Sequence, residues 1–393
     1  MFRVGLDTSA LDGGFKNHSM RGIGRYVQEL NRYFQSPRSQ EVSVGTFDHA
    51  ILHQPSLASS IIAAMPAGRK TLSQQLLYPL RMANGPLKEF DVVHFTAHMD
   101  APAWSPKKYI LTVHDLIPLV LKDMYKADKP TWRFAFARFL DIRAIKNASL
   151  IIAISENTAN DLTRVLGIPR ERMVISYLGV DSKFYDAALT EPRGGFCARF
   201  GIPSERPVVL YVGGIDQRKN FTGLIDSFER LLQISRETAK PEPVLVMAGN
   251  IQSDAQFPKL DALVKARGLT RDVIMPGFVD DKDLLQMYAL SSVFFFPSLY
   301  EGFGLPPLEA MAAGTPVVSS NRSCMPEVLG DAVLMVDPSD TQQCAQQLYR
   351  VLHETGLAQS LRERGKVQAR KFTWNAMGEQ TLKAYERLAR ARG

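Results

Sequence analysis

The chain reads as an α/β protein of two Rossmann-like halves. Three observations predict it. Short apolar runs rich in β-branched and aromatic residues recur along the 393 residues. They lack the polar alternation of half-exposed strands, as expected for parallel strands covered on both faces. Helical patterns fill the intervals between them, the rhythm of βαβ units. The pattern then breaks in a stretch of turn formers and starts again.

Taken in order, strands are predicted at Arg3–Asp7, Val42–Phe47, Asp91–Phe95, Tyr109–Val113, Leu150–Ile154 and Met173–Ser176, with helices at Gly24–Phe34 and Thr131–Asn147. The second of these helices carries Arg133, Arg138 and Arg143 among many aromatics. It reads as a core helix with a basic edge, a lipid-facing role being the alternative. The break falls near Asp181–Pro207, where Thr190-Glu-Pro-Arg-Gly-Gly195 and Gly201-Ile-Pro-Ser204 favour turns. Strands resume at Val208–Val212, Val244–Ala248, Val273–Met275, Val293–Phe296, Pro316–Ser319 and Ala332–Val336. Helices are predicted at Phe221–Gln233, Lys259–Arg267, Lys282–Leu290 and Thr341–His353. This divides the chain into domains 1–187 and 188–373, with a last helix, about Trp374–Arg392, packing back on the first domain as segment 374–393.

Composition is that of a globular protein, 45% hydrophobic and 22% charged. Cys197, Cys324 and Cys344 have no metal or disulfide spacing, which points to a reducing compartment and no zinc site. The first residues read as a strand rather than a signal peptide, and no apolar run approaches a bilayer span. A cytoplasmic location is expected, at most peripheral to a membrane. Net charge is +7, with 23 basic and 17 acidic residues in the first 187. That half suits either anionic lipid or a phosphorylated substrate, or is simply a solvated surface. Nucleic acid is disfavoured, because no basic run is interleaved with stacking aromatics.

The most informative segment is Phe296-Pro-Ser-Leu-Tyr-Glu-Gly-Phe-Gly-Leu-Pro-Pro-Leu-Glu309. Glu301 opens a glycine-rich loop, and Glu309 lies near the start of a short helix. One loop thereby combines backbone N–H groups, a helix N-terminus and two carboxylate acceptors, which suits a ligand with a diphosphate and sugar hydroxyls. A second candidate is Tyr211-Val-Gly-Gly-Ile-Asp-Gln-Arg-Lys-Asn220. Gly213 and Gly214 give a tight turn, and Arg218 and Lys219 lie just ahead of a helix start, where a bound anion would offset their conflict with the helix dipole. His114 and Asp115 end a buried strand, the position where open α/β sheets bind ligands. Gly22 and Gly24 sit in Arg21-Gly-Ile-Gly-Arg-Tyr26 at another helix start, either a phosphate site or only a tight turn. Ser155 reads as a helix cap, and Asp280-Asp-Lys-Asp283 as capping acids rather than a metal site.

The Glu301–Glu309 segment, Arg218-Lys219-Asn220, His114 and Phe372-Thr-Trp374 together resemble the family 4 glycosyltransferases, over nearly the whole chain. The strand and turn at 211–220 look most like bacterial members that build O-chains and related glycans, many of them mannosyltransferases. The resemblance implies a GT-B fold, two Rossmann-like domains facing across a cleft, and a retaining reaction without metal or other cofactor. It implies a nucleotide-sugar donor, GDP-mannose first, and a glycan or lipid-linked oligosaccharide acceptor in lipopolysaccharide synthesis. It further implies that Glu309 binds the donor ribose and that Glu301 lies by the hexose. Gly302, Phe303, Gly304 and Leu305 would offer backbone N–H groups, and Lys219 with Arg218 would neutralise the leaving diphosphate. Gly22 and Gly24 would approach the phosphates, His114 would touch the transferred sugar, and Asn250, Gly277 and Phe278 would frame the base. Gly214 stands where many relatives carry an arginine, a place Arg218 is expected to fill. The alternatives are a nucleotide-sugar 2-epimerase of the same architecture and a non-catalytic nucleotide-sugar binding protein; a dehydrogenase is disfavoured by the incomplete glycine fingerprint.

Overall fold

The apolar runs form two six-stranded sheets, parallel throughout. The structure is a computed structural model; it describes residues 1–11, 22–36, 42–48, 86–99, 101–105, 107–124 and 132–391, with only the backbone at 86 and 132–134. Arg21, Thr131, the side chain of Arg133, and residues 392–393 of the last helix therefore lie outside it. The chain divides into one unit of Met1–Gly179 with Trp374–Gly393, and a second of Val180–Thr373.

In the first unit the strands are β1 (Phe2–Asp7), β2 (Val42–Phe47), β3 (Val92–Phe95), β4 (Tyr109–Val113), β5 (Leu150–Ala153) and β6 (Met173–Ile175), in the order β2-β1-β3-β4-β5-β6. Strand β4 is buried along its whole length, as continuous apolar strands between helical layers must be. The helix Trp374–Arg390 packs here through Leu382 and Tyr385, against Val4, Ile110 and Ile152. Its Gly378 faces Tyr33 of the helix Gly22–Gln35 so closely that a Cβ would lie 2.2 Å from the ring. Only glycine allows that approach.

In the second unit β7 (Val208–Val212), β8 (Val244–Ala248), β9 (Val273–Gly277), β10 (Val293–Phe296), β11 (Val317–Ser320) and β12 (Leu334–Val336) run in the order β12-β11-β10-β7-β8-β9. The chain winds one way from β7 and the other way from β10, so the order reverses between these neighbours. A crevice outside the carboxyl ends of two such strands is where doubly wound sheets bind ligands.

Two expectations change. The segment 180–187, assigned by sequence to the first domain, packs with the second. Val180 N donates to Phe372 O (3.1 Å), Phe184 meets Tyr288 ring edge to ring face, and Lys183 pairs with Asp281. The turn formers that suggested a later boundary lie wholly inside the second unit. The helix Trp132–Asn147 is not a core helix along its length: Ala144 and Ile145 are buried, whereas Phe136 and Phe139 are 48% and 52% exposed. Aromatic content alone does not say which side of a helix faces the sheet. The helix Glu156–Leu166 is anticipated only through its cap Ser155, and Leu357–Ala369, rich in polar residues, has no predicted counterpart.

Candidate functional site

The site builds on the loops after β7 and β10. Strand β7 ends at Val212, and the chain turns through Gly213 and Gly214. Gly213 has φ 148°, and its N–H donates to Ala248 O (3.0 Å) at the end of β8. Gly249 follows at φ 149°, where a Cβ would lie 2.5 Å from Gly213 O; its N–H donates to Gly277 O, and Gly277 has φ 83°. Three glycines thus pack backbone against backbone across the ends of three adjacent strands. Sequence reasoning named Gly213 and Gly277 but missed Gly249, although a glycine directly after a predicted strand was a usable signal. Asn250 and Phe278 follow this row, both exposed.

A one-turn helix, Gln217–Lys219, then aims two cations at the next loop. Asp216 caps it, accepting from Arg218 N (3.1 Å). Asn220 ends it in the left-handed conformation at φ 57°. Its side chain accepts from Gly223 N (3.2 Å) and donates to Pro297 O (3.2 Å) and Pro338 O (2.8 Å). The local signature that predicted a basic turn before a helix therefore has a structural cause: asparagine tolerates αL and caps the helix Phe221–Glu237. Leu299 N donates to Arg218 O (2.7 Å), joining the β7 and β10 loops.

Glu301 is the hub. Its carboxylate accepts from Lys219 Nζ (2.6 Å) and Arg218 Nη1 (2.7 Å), and Arg218 also donates to Tyr300 O (3.0 Å). Only 9% of its side chain and 12% of that of Lys219 reach solvent. Burial by itself would raise the Glu301 carboxyl, but the Lys219 and Arg218 charges and their hydrogen bonds outweigh it and hold the group below the ordinary carboxylate range. Burial lowers the Lys219 ammonium, with Glu301 opposing and Arg218 assisting. The ammonium also lies 4.9 Å from the centre of the Phe296 ring. Ser323 Oγ donates to Glu301 O (2.6 Å), and Cys324 Sγ does so at 3.2 Å, fixing the loop backbone. Neither residue was foreseen; they come from a turn more than 20 residues away, and nothing local marks them. Tyr211, its phenol pushed up by burial and by the nearby Glu301 charge, stays protonated and donates to Gly214 O (2.5 Å).

Beyond Glu301 the loop closes on itself. Phe303 is buried and meets Phe372 edge to face at 5.7 Å. Gly304 has φ 89°, caps the helix Leu305–Ala312, and would drive a Cβ to within 2.3 Å of Met325. Pro306 and Pro307 carry no N–H, so the amides at this helix end are those of residues 302–305. On the same helix, Glu309 accepts from Tyr288 OH (3.1 Å), another partner that the sequence does not mark.

The remaining candidates lie in the first unit. His114 follows β4, is buried, and donates from Nε2 to Thr96 O (2.9 Å). The ring of Tyr26, two residues beyond Gly24, stands perpendicular to it at 5.1 Å. The Gly22–Gly24 helix start and the end of β4 are thereby neighbours. Beneath them runs a buried polar chain: Tyr26 OH to Thr112 Oγ1 (2.9 Å), Thr112 to His94 Nε2 (2.8 Å), and His94 Nδ1 to Tyr385 OH (2.7 Å). Burial pushes His94 down to about 3, with the His114 charge adding, so His94 is neutral. Ser155 caps the helix Glu156–Leu166, accepting from Thr158 N (3.0 Å), and Asp280 caps Asp281–Leu290, accepting from Asp283 N (2.8 Å). Among the described residues no group of three His, Cys, Asp or Glu side chains is placed to hold a metal ion, and no helix is long and apolar enough to cross a membrane.

Known proteins resemble this chain in sequence and in fold. Residues 20–184 match Glycosyltransferase Family 4, and residues 197–368 match Glycosyl transferases group 1. The serotype-specific mannosyltransferase WbdA of Escherichia coli is 31% identical over 285 residues, 72% of this chain and 34% of that protein. The chain thus spans about a third of that relative's length. O-antigen chain mannosyltransferase B of Escherichia coli is 28% identical over 317 residues, 80% of this chain and 79% of that protein. Among solved structures, HepE of Anabaena in complex with UDP and glucose is similar with a TM-score of 0.71 at 16% identity, covering 98% of this chain and 100% of that one.

Proposed function

We propose that this chain, which belongs to the GT-B glycosyltransferases with a family 4 first domain and a group 1 second domain, is a retaining hexosyltransferase that takes mannose from GDP-mannose. The observation that carries this reading is the shared carboxylate of Glu301, which holds Lys219 and Arg218 at the strand-order reversal beside the helix start at Gly304. Two half-buried cations and a row of amides form a place for a diphosphate, and they bear on charge that grows as the sugar–phosphate bond breaks. Relatives whose names state mannosyl transfer support the hexose.

In the proposed reaction the bond between the hexose anomeric carbon and the β-phosphate oxygen breaks. A bond from that carbon to an acceptor hydroxyl oxygen forms on the same face, and the hydroxyl proton passes to the leaving phosphate. Glu301 is engaged by two cations and is no proton donor, so the two carboxylates are binding groups rather than a hydrolase acid/base pair. Glu309, oriented by Tyr288, takes the donor ribose. His114 hydrogen-bonds the transferred hexose, and Phe278 and the backbone at Asn250 and Gly277 flank the base. Lys219 and Arg218 supply the countercharge, so the reaction proceeds with chelator present. The acceptor is a glycan carried on a lipid, as in cell-surface polysaccharide synthesis.

The test is the purified protein with a panel of nucleotide-sugars and chelator, read by product mass and by NMR of the new anomeric proton. The expected product carries mannose from GDP-mannose with its anomeric configuration kept. Transfer from another donor alone overturns the donor assignment, inversion overturns the mechanism, and release of a free epimerised sugar overturns transfer itself.

A further inference from the structure

A chain of buried polar side chains lies beneath His114, and the transfer chemistry proposed above makes no use of it. Tyr26, His94, Thr112 and Tyr385 are each 0% exposed. They come from four elements: the helix Gly22–Gln35, β3, β4 and the helix Trp374–Arg390. Tyr26 OH and Thr112 Oγ1 lie 2.9 Å apart, Thr112 Oγ1 and His94 Nε2 2.8 Å, and His94 Nδ1 and Tyr385 OH 2.7 Å. Both ends return to one helix, because Tyr385 stacks at 5.2 Å on Phe34, which shares the helix Gly22–Gln35 with Tyr26. A closed circuit of this kind leaves the Tyr26 ring little freedom to turn.

An apolar core would serve stability about as well, since replacing both partners of a buried hydrogen bond by apolar groups of the same shape is nearly neutral. What a fully bonded network adds is one fixed arrangement. The ring it fixes touches a site residue. Tyr26 stands at 85° to the His114 imidazole, with ring centres 5.1 Å apart. The hydrogen bond from His114 Nε2 to Thr96 O (2.9 Å) fixes that nitrogen but not the tilt of the ring plane. The perpendicular Tyr26 ring fixes the tilt. We propose that Tyr26, anchored through Thr112 and His94 to Tyr385, is a positioning residue that sets the His114 ring for the transferred hexose. This rests on the reading of His114 as the hexose contact.

The experiment makes Tyr26→Phe and Tyr26→Leu in the full chain, each with and without His114→Ala. Tyr26→Phe keeps the ring and cuts its anchor, whereas Tyr26→Leu removes both. Three readouts are taken: kcat at saturating donor, GDP affinity by calorimetry, and histidine-ring NMR, in which His114→Ala assigns the signal. Tyr26→Leu is expected to lower kcat on the order of tenfold and to shift or broaden the His114 signal, with GDP affinity unchanged. Tyr26→Phe is expected to do the same to a smaller extent. In the His114→Ala background neither change should lower kcat further, although Tyr26→Leu lowers the melting temperature in both backgrounds. Equal kcat losses with and without His114, or an unmoved His114 signal, overturn the inference. Should Tyr26→Leu fail to fold, Tyr26→Phe decides by the same criteria. Wild-type kcat in His114→Ala overturns the hexose contact and the positioning role with it. A wild type that transfers from no nucleotide-sugar counts against the proposed reaction, and the NMR signal then still decides whether Tyr26 sets the ring.

Discussion

Lys219 Nζ lies 2.6 Å from Glu301 Oε1, and Arg218 holds the other oxygen at 2.7 Å. One buried carboxylate therefore serves two cations and leaves the trio with a net charge of +1. Asp216, 3.8 Å from Arg218 and half exposed, offsets this only weakly. A cluster built this way is stable without an additional anion yet attracts one.

Glu301→Gln keeps the shape and removes the charge. Breaking a buried ion pair by removing one partner costs about 3 kcal/mol or more, and denaturant unfolding of the variant is the measurement. The pH dependence has a definite sign. The folded carboxyl titrates below its unfolded value of about 4.3, so its contribution is full above that pH and is lost as pH falls through the lowered folded value. The acid limb of the stability curve should be shallower in the variant, and an unchanged limb would contradict the ionised pairing.

Lys219→Ala should lower kcat on the order of 100-fold or more, if the ammonium meets charge that develops on the leaving phosphate. Arg218 remains in the variant and keeps its own share of the countercharge, held by Glu301 and Tyr300 O, but it does not replace the lost ammonium. Steady-state kinetics with the donor at saturation decide it; a near-normal kcat removes Lys219 from the reaction.

Glu309→Ala should weaken donor binding about tenfold or more, the worth of hydrogen bonds to a charged acceptor. Tyr288→Phe should weaken it less, because it only releases the carboxylate from its 3.1 Å contact. Calorimetry with the nucleoside diphosphate reads both, and unaltered affinity in the alanine variant argues against the ribose contact.

Gly249→Ala should destabilise the second unit more than Gly268→Ala. Both glycines have positive φ, but a Cβ at 249 would press to 2.5 Å from a backbone oxygen, whereas at 268 there is nothing within 4 Å. The first change should cost about 1–3 kcal/mol beyond the second. Thermal or denaturant unfolding compares them, and equal losses would mean the strand ends can part.

His94 is held neutral, and its folded value of about 3 lies below its unfolded one. Stability tied to it is full above about pH 6.5 and is lost as pH falls toward 3, at up to about 1.4 kcal/mol per pH unit. His94→Gln should flatten the stability curve between those limits, as followed by denaturant titrations at several pH values. Tyr385→Phe provides a second check: it removes one partner of the imidazole and should cost about 1–3 kcal/mol without changing that slope in sign.

Most strands, and the helices with clear apolar periodicity, were legible because their signals are local. Five of the strands, such as Tyr109–Val113 and Val293–Phe296, have the predicted bounds, and the others shift by one or two residues at their ends. Polar helices such as Leu357–Ala369 were illegible, since their apolar positions are few and no capping side chain marks the start. The site residues Lys219, Glu301 and Glu309 stood out by chemistry and spacing. Their partners Ser323, Cys324 and Tyr288 did not, because each comes from an element whose local sequence serves its own packing.

The sequence by itself determined the alternation of strands and helices and the residue types gathered at the ends of β7 and β10. These follow from periodicity, burial propensity and the backbone freedom of glycine, all of which act over a few residues. Only the tertiary structure decided that Glu301 is shared by Lys219 and Arg218, that residues 180–187 join the second unit, and that Phe136 and Phe139 face outward. Those outcomes depend on which surfaces meet across 80 or more residues of chain in the ion cluster, or on which side of a helix the sheet covers, and no local pattern encodes either.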